Sequence, residues 1–131
     1  MKHTKRKNKK ILLVDDEPNI LIALTFLFEK EGYIVESAVD GKDAIEKTYS
    51  FIPDIIVLDV MMPHLNGFEA AKQIRQIPSM DHTPIFFLTA KGSNDDKMRG
   101  YDSGAEYYIT KPFENDNLLR LVNEIAFSFE L

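Results

Sequence analysis

Short, wholly apolar runs separated by helical patterns recur along this chain. Residues 11–15 open with four consecutive apolar side chains and close on an aspartate. A run without polar alternation suits a strand covered on both faces. Pro18 stands where a helix can begin, and Ile20, Leu24, Leu27 and Phe28 follow at helical spacing until Gly32 stops the pattern. Residues 33–38 alternate, which predicts a half-buried strand. Asp40 predicts the N-cap of a second helix reaching about Tyr49, with Ala44 and Ile45 inward. Pro53-Asp54 is a turn before a third strand at 55–59. Residues 63–67 read as a loop, and the helix after it turns Phe68, Ala71 and Ile74 to the core.

Pro84 opens a fourth strand at 85–89. Gly92-Ser93-Asn94-Asp95 predicts a loop and cap for a short fourth helix ending near Ser103 and Gly104. Residues 107–110 form the last strand, Lys111-Pro112 a break, and 114–129 the fifth helix. Five βα units without an internal repeat predict an α/β fold: a doubly wound, flavodoxin-like (βα)5 with a five-stranded parallel sheet of order 2-1-3-4-5. Ligands of such sheets bind at the carboxyl ends of strands, beside the switch between strands 1 and 3. Those ends carry Asp15 and Asp16, then Asp59, Thr89 and Lys111.

Composition narrows the classes that remain. The 131 residues fit one domain, and the absence of Cys excludes disulfides and thiolate metal sites. No apolar run is long enough for a membrane span, and no cleavable signal pattern follows the basic N-terminus, so the cytoplasm is the expected location. Residues 1–10 hold six Lys or Arg, which leaves the body at a net charge of −11. An acidic body argues against direct nucleic-acid binding by this domain. Residues 1–8 read as a solvated, disordered basic tail, and 9–131 as the domain.

Three carboxylates at two neighbouring strand ends repel one another unless a cation stands among them. A hard divalent ion such as Mg²⁺ favours a few carboxylates together with water and phosphoryl oxygens. Taken alone, Asp15-Asp16 could equally be loop or cap residues. Asp59, at the rim of a buried strand, can serve as a metal ligand or as a nucleophile that forms an acyl-phosphate. Thr89 adds a hydroxyl and Lys111 a point charge for phosphoryl oxygens. His3, His64 and His82 have no carboxylate partner at metal-pair spacing and read as surface or tail residues.

"ILLVDDEP", "PDIIVLDVMMPHLNG", "PIFFLTAK" and "GAEYYITKPF" resemble, in order and spacing, the four signature segments of response-regulator receiver domains. The resemblance covers roughly residues 9–128. It implies that Asp59 is the phosphoacceptor, that Asp16 binds Mg²⁺ directly, and that Asp15 usually acts through water. The backbone carbonyl of Met61 would complete the metal set. Thr89 would move onto the phosphoryl group, Lys111 would clamp it, and Pro112 would follow Lys111 through a cis peptide. Tyr108, which by strand propensity alone is a packed aromatic, would be the aromatic whose rotamer follows Thr89.

The implied function is a two-component phosphorelay: a histidine kinase or histidine phosphotransfer protein donates the phosphoryl group. The chain then switches its affinity for a downstream protein or output domain through the helix 4–strand 5–helix 5 face. Such a chain is a switch and not an enzyme. Regulators similar around "DDKMRG" form homodimers through charged pairs on that face. Here Tyr107 stands for the acid after Glu106, and Leu121 takes the basic position with Arg120 one step off, which weakens that homodimer.

Other readings fare worse. A nucleotide-binding flavodoxin-like domain wants glycines after the first strand, where this chain has Asp15-Asp16-Glu17. An aspartyl phosphatase wants an acid two residues after its nucleophile, where this chain has Met61. A receiver-like scaffold without phosphorylation would lack Asp59, Lys111 or the acid pair.

Overall fold

The computed structural model describes residues 9–62, 65–90 and 106–127. Its strands are β1 (Lys10–Val14), β2 (Ile34–Ala38), β3 (Ile55–Asp59), β4 (Ile85–Ala90) and β5 (Glu106–Lys111). The helices are α1 (Pro18–Lys30), α2 (Gly41–Phe51), α3 (Gly67–Arg75) and a C-terminal α4 (Asn115–Ala126). A 3-10 turn, Pro78–Met80, joins α3 to β4 and was not anticipated from the sequence. The basic tail, Pro63 and His64, and the helix expected between Asp95 and Ser103 lie outside the described residues.

All strands pair in parallel in the order β2-β1-β3-β4-β5. Alternation along β1, β3 and β4 sends their apolar side chains to two separate cores. Ile11, Leu13, Ile55, Val57, Phe86 and Leu88 pack beneath α1 and α4. Leu12, Val14, Ile56, Leu58, Ile85 and Phe87 pack beneath α2 and α3. Burial on both faces explains why these strands carry no polar alternation. Burying one such large apolar side chain stabilises by roughly 1.5–3 kcal/mol, so the three central strands supply a large share of the fold's driving force.

Local chemistry ends each helix where the site needs a loop. Pro18 starts α1 with its φ already helical. Gly32 stops it at φ 98, and the N–H groups of Gly32 and Tyr33 donate to the carbonyls of Glu29 and Phe28. This is a Schellman closure, reinforced by the edge-on contact of the Phe28 and Tyr33 rings at 5.3 Å. Tyr33, expected to start the second strand, is therefore consumed by the helix end, and β2 begins one residue later.

Asp40 caps α2 by accepting from the Asp43 N–H, as expected, and Asn66 does the same for α3 from Glu69. α2 runs to Phe51, two residues beyond expectation, because Ile52 ends it in the left-handed region at φ 52. Lys10 Nζ then takes up the Phe51 carbonyl at 2.9 Å.

Gly67 is the tightest point of the frame. A Cβ there would stand 2.5 Å from the Asp59 carbonyl oxygen and 2.8 Å from Val60 Cα. Its N–H donates to the Val60 carbonyl. The start of α3 is thus pressed directly on the backbone that carries Asp59, which only a glycine permits.

Candidate functional site

The direction of winding reverses between β1 and β3, so their carboxyl ends open onto a common crevice. β1 delivers Asp15, β3 delivers Asp59, and β5 delivers Lys111 from the far side of β4. Asp15, Asp16, Glu17 and Asp59 each bring a carboxylate oxygen to within 4.8 Å of the others. Three members of that group were expected from the sequence, whereas Glu17 was not. Its signal was its position, directly after Asp15-Asp16 and directly before a helix-starting proline.

Rigid elements hold the acids in different ways. Asp59 is buried at the end of β3, and its Oδ1 accepts the Met61 N–H at 3.2 Å. Asp15 is buried as well, with Oδ1 accepting the Glu17 N–H at 2.9 Å. Its Oδ2 is fully enclosed and has no hydrogen-bond partner among the described residues. Asp16 and Glu17 face solvent. Lys111 Nζ stands 3.4 Å from Asp59 Oδ2, 3.6 Å from Asp15 Oδ2 and 3.9 Å from Glu17 Oε2.

Among the described residues, one ammonium stands against four carboxylates, which makes this part of the crevice electronegative. Burial pushes the Asp15 carboxyl up to about 6, with the Asp59 charge adding to it and Lys111 opposing it. Burial likewise raises Asp59, opposed by Lys111 and by the Met61 N–H. An enclosed carboxylate oxygen without a hydrogen bond, among further acids that share a single described ammonium, belongs to an all-oxygen donor set short of positive charge. Those donors fit a hard divalent cation.

Thr89 is buried at the end of β4, one residue beyond Leu88, the register partner of Asp59. Among the described residues its hydroxyl makes one long contact, 3.5 Å to the Ile109 carbonyl, which is a weak tether. Tyr108 pairs with Phe87 in register and stacks on its ring at 5.4 Å, half-buried against the core beneath α2 and α3. Strand alternation sets Phe87 and Thr89 on that same face. The Met61 side chain is exposed, and the Lys111–Pro112 peptide is cis, as the resemblance implied. His82 is an exposed loop residue, in keeping with a surface role.

A second feature that sequence reasoning missed lies at the other end of β5. Glu106 is buried and takes two contacts from Arg75 at the end of α3: Nε at 2.8 Å and Nη2 at 2.7 Å. Arg75 Nη1 donates to the Met80 carbonyl at 2.7 Å. Thirty-one positions separate the two residues, and neither carries a local pattern that marks the pair.

A family model described as the response regulator receiver domain matches residues 11–123. The alkaline phosphatase synthesis transcriptional regulatory protein PhoP of Bacillus subtilis (strain 168) is 50% identical over 106 residues, covering 81% of this chain. The chain spans 43% of that relative's length. The chemotaxis protein CheY4 of Vibrio cholerae superposes with a TM-score of 0.82 at 35% identity, over 90% of this chain and 98% of that one. The receiver domain of Francisella response regulator 1452 gives 0.81 at 35% identity, over 94% and 100% of the two chains.

Proposed function

The chain belongs to the response regulator receiver domain family of two-component signalling, and from that premise we propose that it accepts a phosphoryl group on Asp59 and switches partner affinity in response. The observation that carries this reading is Lys111 Nζ, held 3.4 Å from a buried Asp59 carboxylate at the mouth of an acidic crevice. The donor in this reading is a phosphohistidine on a histidine kinase or phosphotransfer protein. An Asp59 carboxylate oxygen attacks phosphorus, the phosphorus–nitrogen bond breaks, and the imidazole leaves with its electron pair.

Asp15, Asp16, Asp59 and the Met61 carbonyl would hold Mg²⁺, which when bound supplies positive charge against the acids and the phosphoryl oxygens. Lys111 exchanges its carboxylate partners for a phosphoryl oxygen. Thr89, weakly tethered through its hydroxyl, turns towards the new charge. That movement frees space for the Tyr108 ring, and the output is a changed surface on β5, α4 and the segment preceding β5. A groove of about 580 Å³ beside Lys111, lined by Ile20, Leu24, Pro112 and Phe113 among others, gives a protein donor apolar surface next to the acceptor.

No helix among the described residues is long and apolar enough to cross a membrane, and the reading includes a cytoplasmic location. It assigns signal transfer to this chain and leaves nucleic-acid contact to other parts of such regulators. Incubation with acetyl phosphate and Mg²⁺ followed by mass spectrometry is the direct test. Wild type is expected to gain one phosphoryl group and Asp59→Asn none. Equal labelling of the variant would overturn the assignment.

A further inference from the structure

The acid set expected from the sequence ends at Asp16, yet the crevice has a fourth carboxylate. Glu17 is the N-cap residue of α1, but its side chain makes no capping hydrogen bond. Its backbone does the structural work: the carbonyl accepts from Ile20 and Leu21, and the N–H donates to Asp15. The carboxylate is therefore available to the crevice, where it lies in the oxygen cluster and 3.9 Å from Lys111 Nζ. It is 62% exposed, whereas the Asp15 and Asp59 side chains are at most 3% exposed. Glu17 thus stands at the rim, between the buried acids and solvent. The enclosed Oδ2 of Asp15 accepts no hydrogen bond among the described residues and faces only the Lys111 ammonium, at 3.6 Å, which leaves the cluster short of positive charge.

From this arrangement we infer that Glu17 is a charge-positioning residue of the receiver site, one that strengthens cation binding and slows anionic phosphoryl donors. The inference rests on the phosphoacceptor reading above and deepens it. A negative charge at the rim attracts a divalent ion that must enter past it. It also holds Lys111 from the solvent side, so the ammonium is shared among three carboxylates instead of the two buried ones. The same charge repels a dianionic donor on the same path. The two effects have opposite signs, and loss of structure does not produce such a pair. At a separation of a few ångströms through water, one unit charge acting on a divalent ion changes affinity on the order of threefold to tenfold at low ionic strength, and less with added salt.

The test uses Mg²⁺ alone first, by calorimetric titration of metal-stripped protein at low and high salt. Glu17→Gln keeps the backbone cap and removes the charge. It is expected to weaken Mg²⁺ binding by about threefold to tenfold at low salt, with the loss shrinking as salt rises. Glu17→Asp restores the charge and should bind within about twofold of wild type. Glu29→Gln removes an equal charge from the far end of α1, and should match wild type.

Acetyl phosphate labelling at saturating Mg²⁺ is the second arm, and there Glu17→Gln should be labelled faster than wild type. Unchanged Mg²⁺ affinity in Glu17→Gln, an equal loss in Glu29→Gln, or slower labelling of Glu17→Gln would each overturn the inference. Failure of the wild type itself to take a phosphoryl group, with the Mg²⁺ pattern intact, would sink the phosphoacceptor reading while leaving Glu17's effect on the cation standing.

Discussion

Asp15→Asn isolates the electrostatic strain of the metal-free crevice. The carboxyl is 1% exposed and its pKa is raised by burial from 3.8 to about 6. Each pKa unit corresponds to about 1.4 kcal/mol, so ionised Asp15 opposes folding by roughly 3 kcal/mol at neutral pH. Asparagine keeps the oxygen that accepts the Glu17 N–H. It buries an amide beside Asp59, which offsets part of the gain; the attraction to Lys111 is already contained in the raised pKa. A net stabilisation of about 1–2 kcal/mol remains, or roughly 3–8 °C in Tm for a chain of this size.

The pH dependence has a definite sign. Because the folded pKa lies above the unfolded one, the penalty is absent below about pH 4. It grows as pH rises towards 6 and is complete above that. Scanning calorimetry in chelator at pH 4.5 and pH 8 should therefore show the two proteins close together at the lower pH, with the variant ahead at the higher. Adding millimolar Mg²⁺ should raise the wild type more than the variant, because the variant lacks one of the acids. A variant that melts at or below wild type at pH 8, or a gap that is equal at both pH values, would refute the buried-charge account.

Arg75→Ala removes the guanidinium paired with the buried Glu106 carboxylate and should lower stability by roughly 1–3 kcal/mol in urea melts. The double variant Arg75→Met with Glu106→Leu should recover most of that loss. Gly67→Ala drives a Cβ into the Asp59 and Val60 backbone. It should reduce stability by about 1–3 kcal/mol and slow acetyl phosphate labelling, and an unchanged labelling rate would mean that α3 does not set the acceptor's position. Met61, two residues after Asp59, and Lys91, two after Thr89, offer no carboxylate or amide to orient a hydrolytic water. The phosphorylated state should accordingly be long-lived, and a Met61→Asn, Lys91→Glu double variant should lose phosphoryl faster in a decay course after donor removal.

The amino-acid sequence by itself determined the architecture and most of the crevice. Uninterrupted apolar runs at 11–14, 55–58 and 85–88 left no alternative to strands buried on both faces. Once those strands are parallel, the residue that ends each run must appear at one edge of the sheet. Asp15, Asp59, Thr89 and Lys111 were legible for that reason: position along a strand is a one-dimensional property. Only the tertiary structure decided what lies between those residues. Whether Lys111 reaches the acids depends on sheet twist and on β4 intervening, and no pattern along the chain encodes those distances.

Glu17 was passed over because a glutamate before a helix-starting proline has the composition of any helix entry. The backbone turn after Asp15, closed by the Glu17 N–H, is what aims it at the crevice. Arg75 and Glu106 carry the residue types of solvated positions, yet Glu106 is buried and Arg75 half-buried against it because α3, the 3-10 turn and β5 meet there. Local propensity is readable residue by residue. Burial of a charge follows from the meeting of distant segments, and that exists only once the chain has folded.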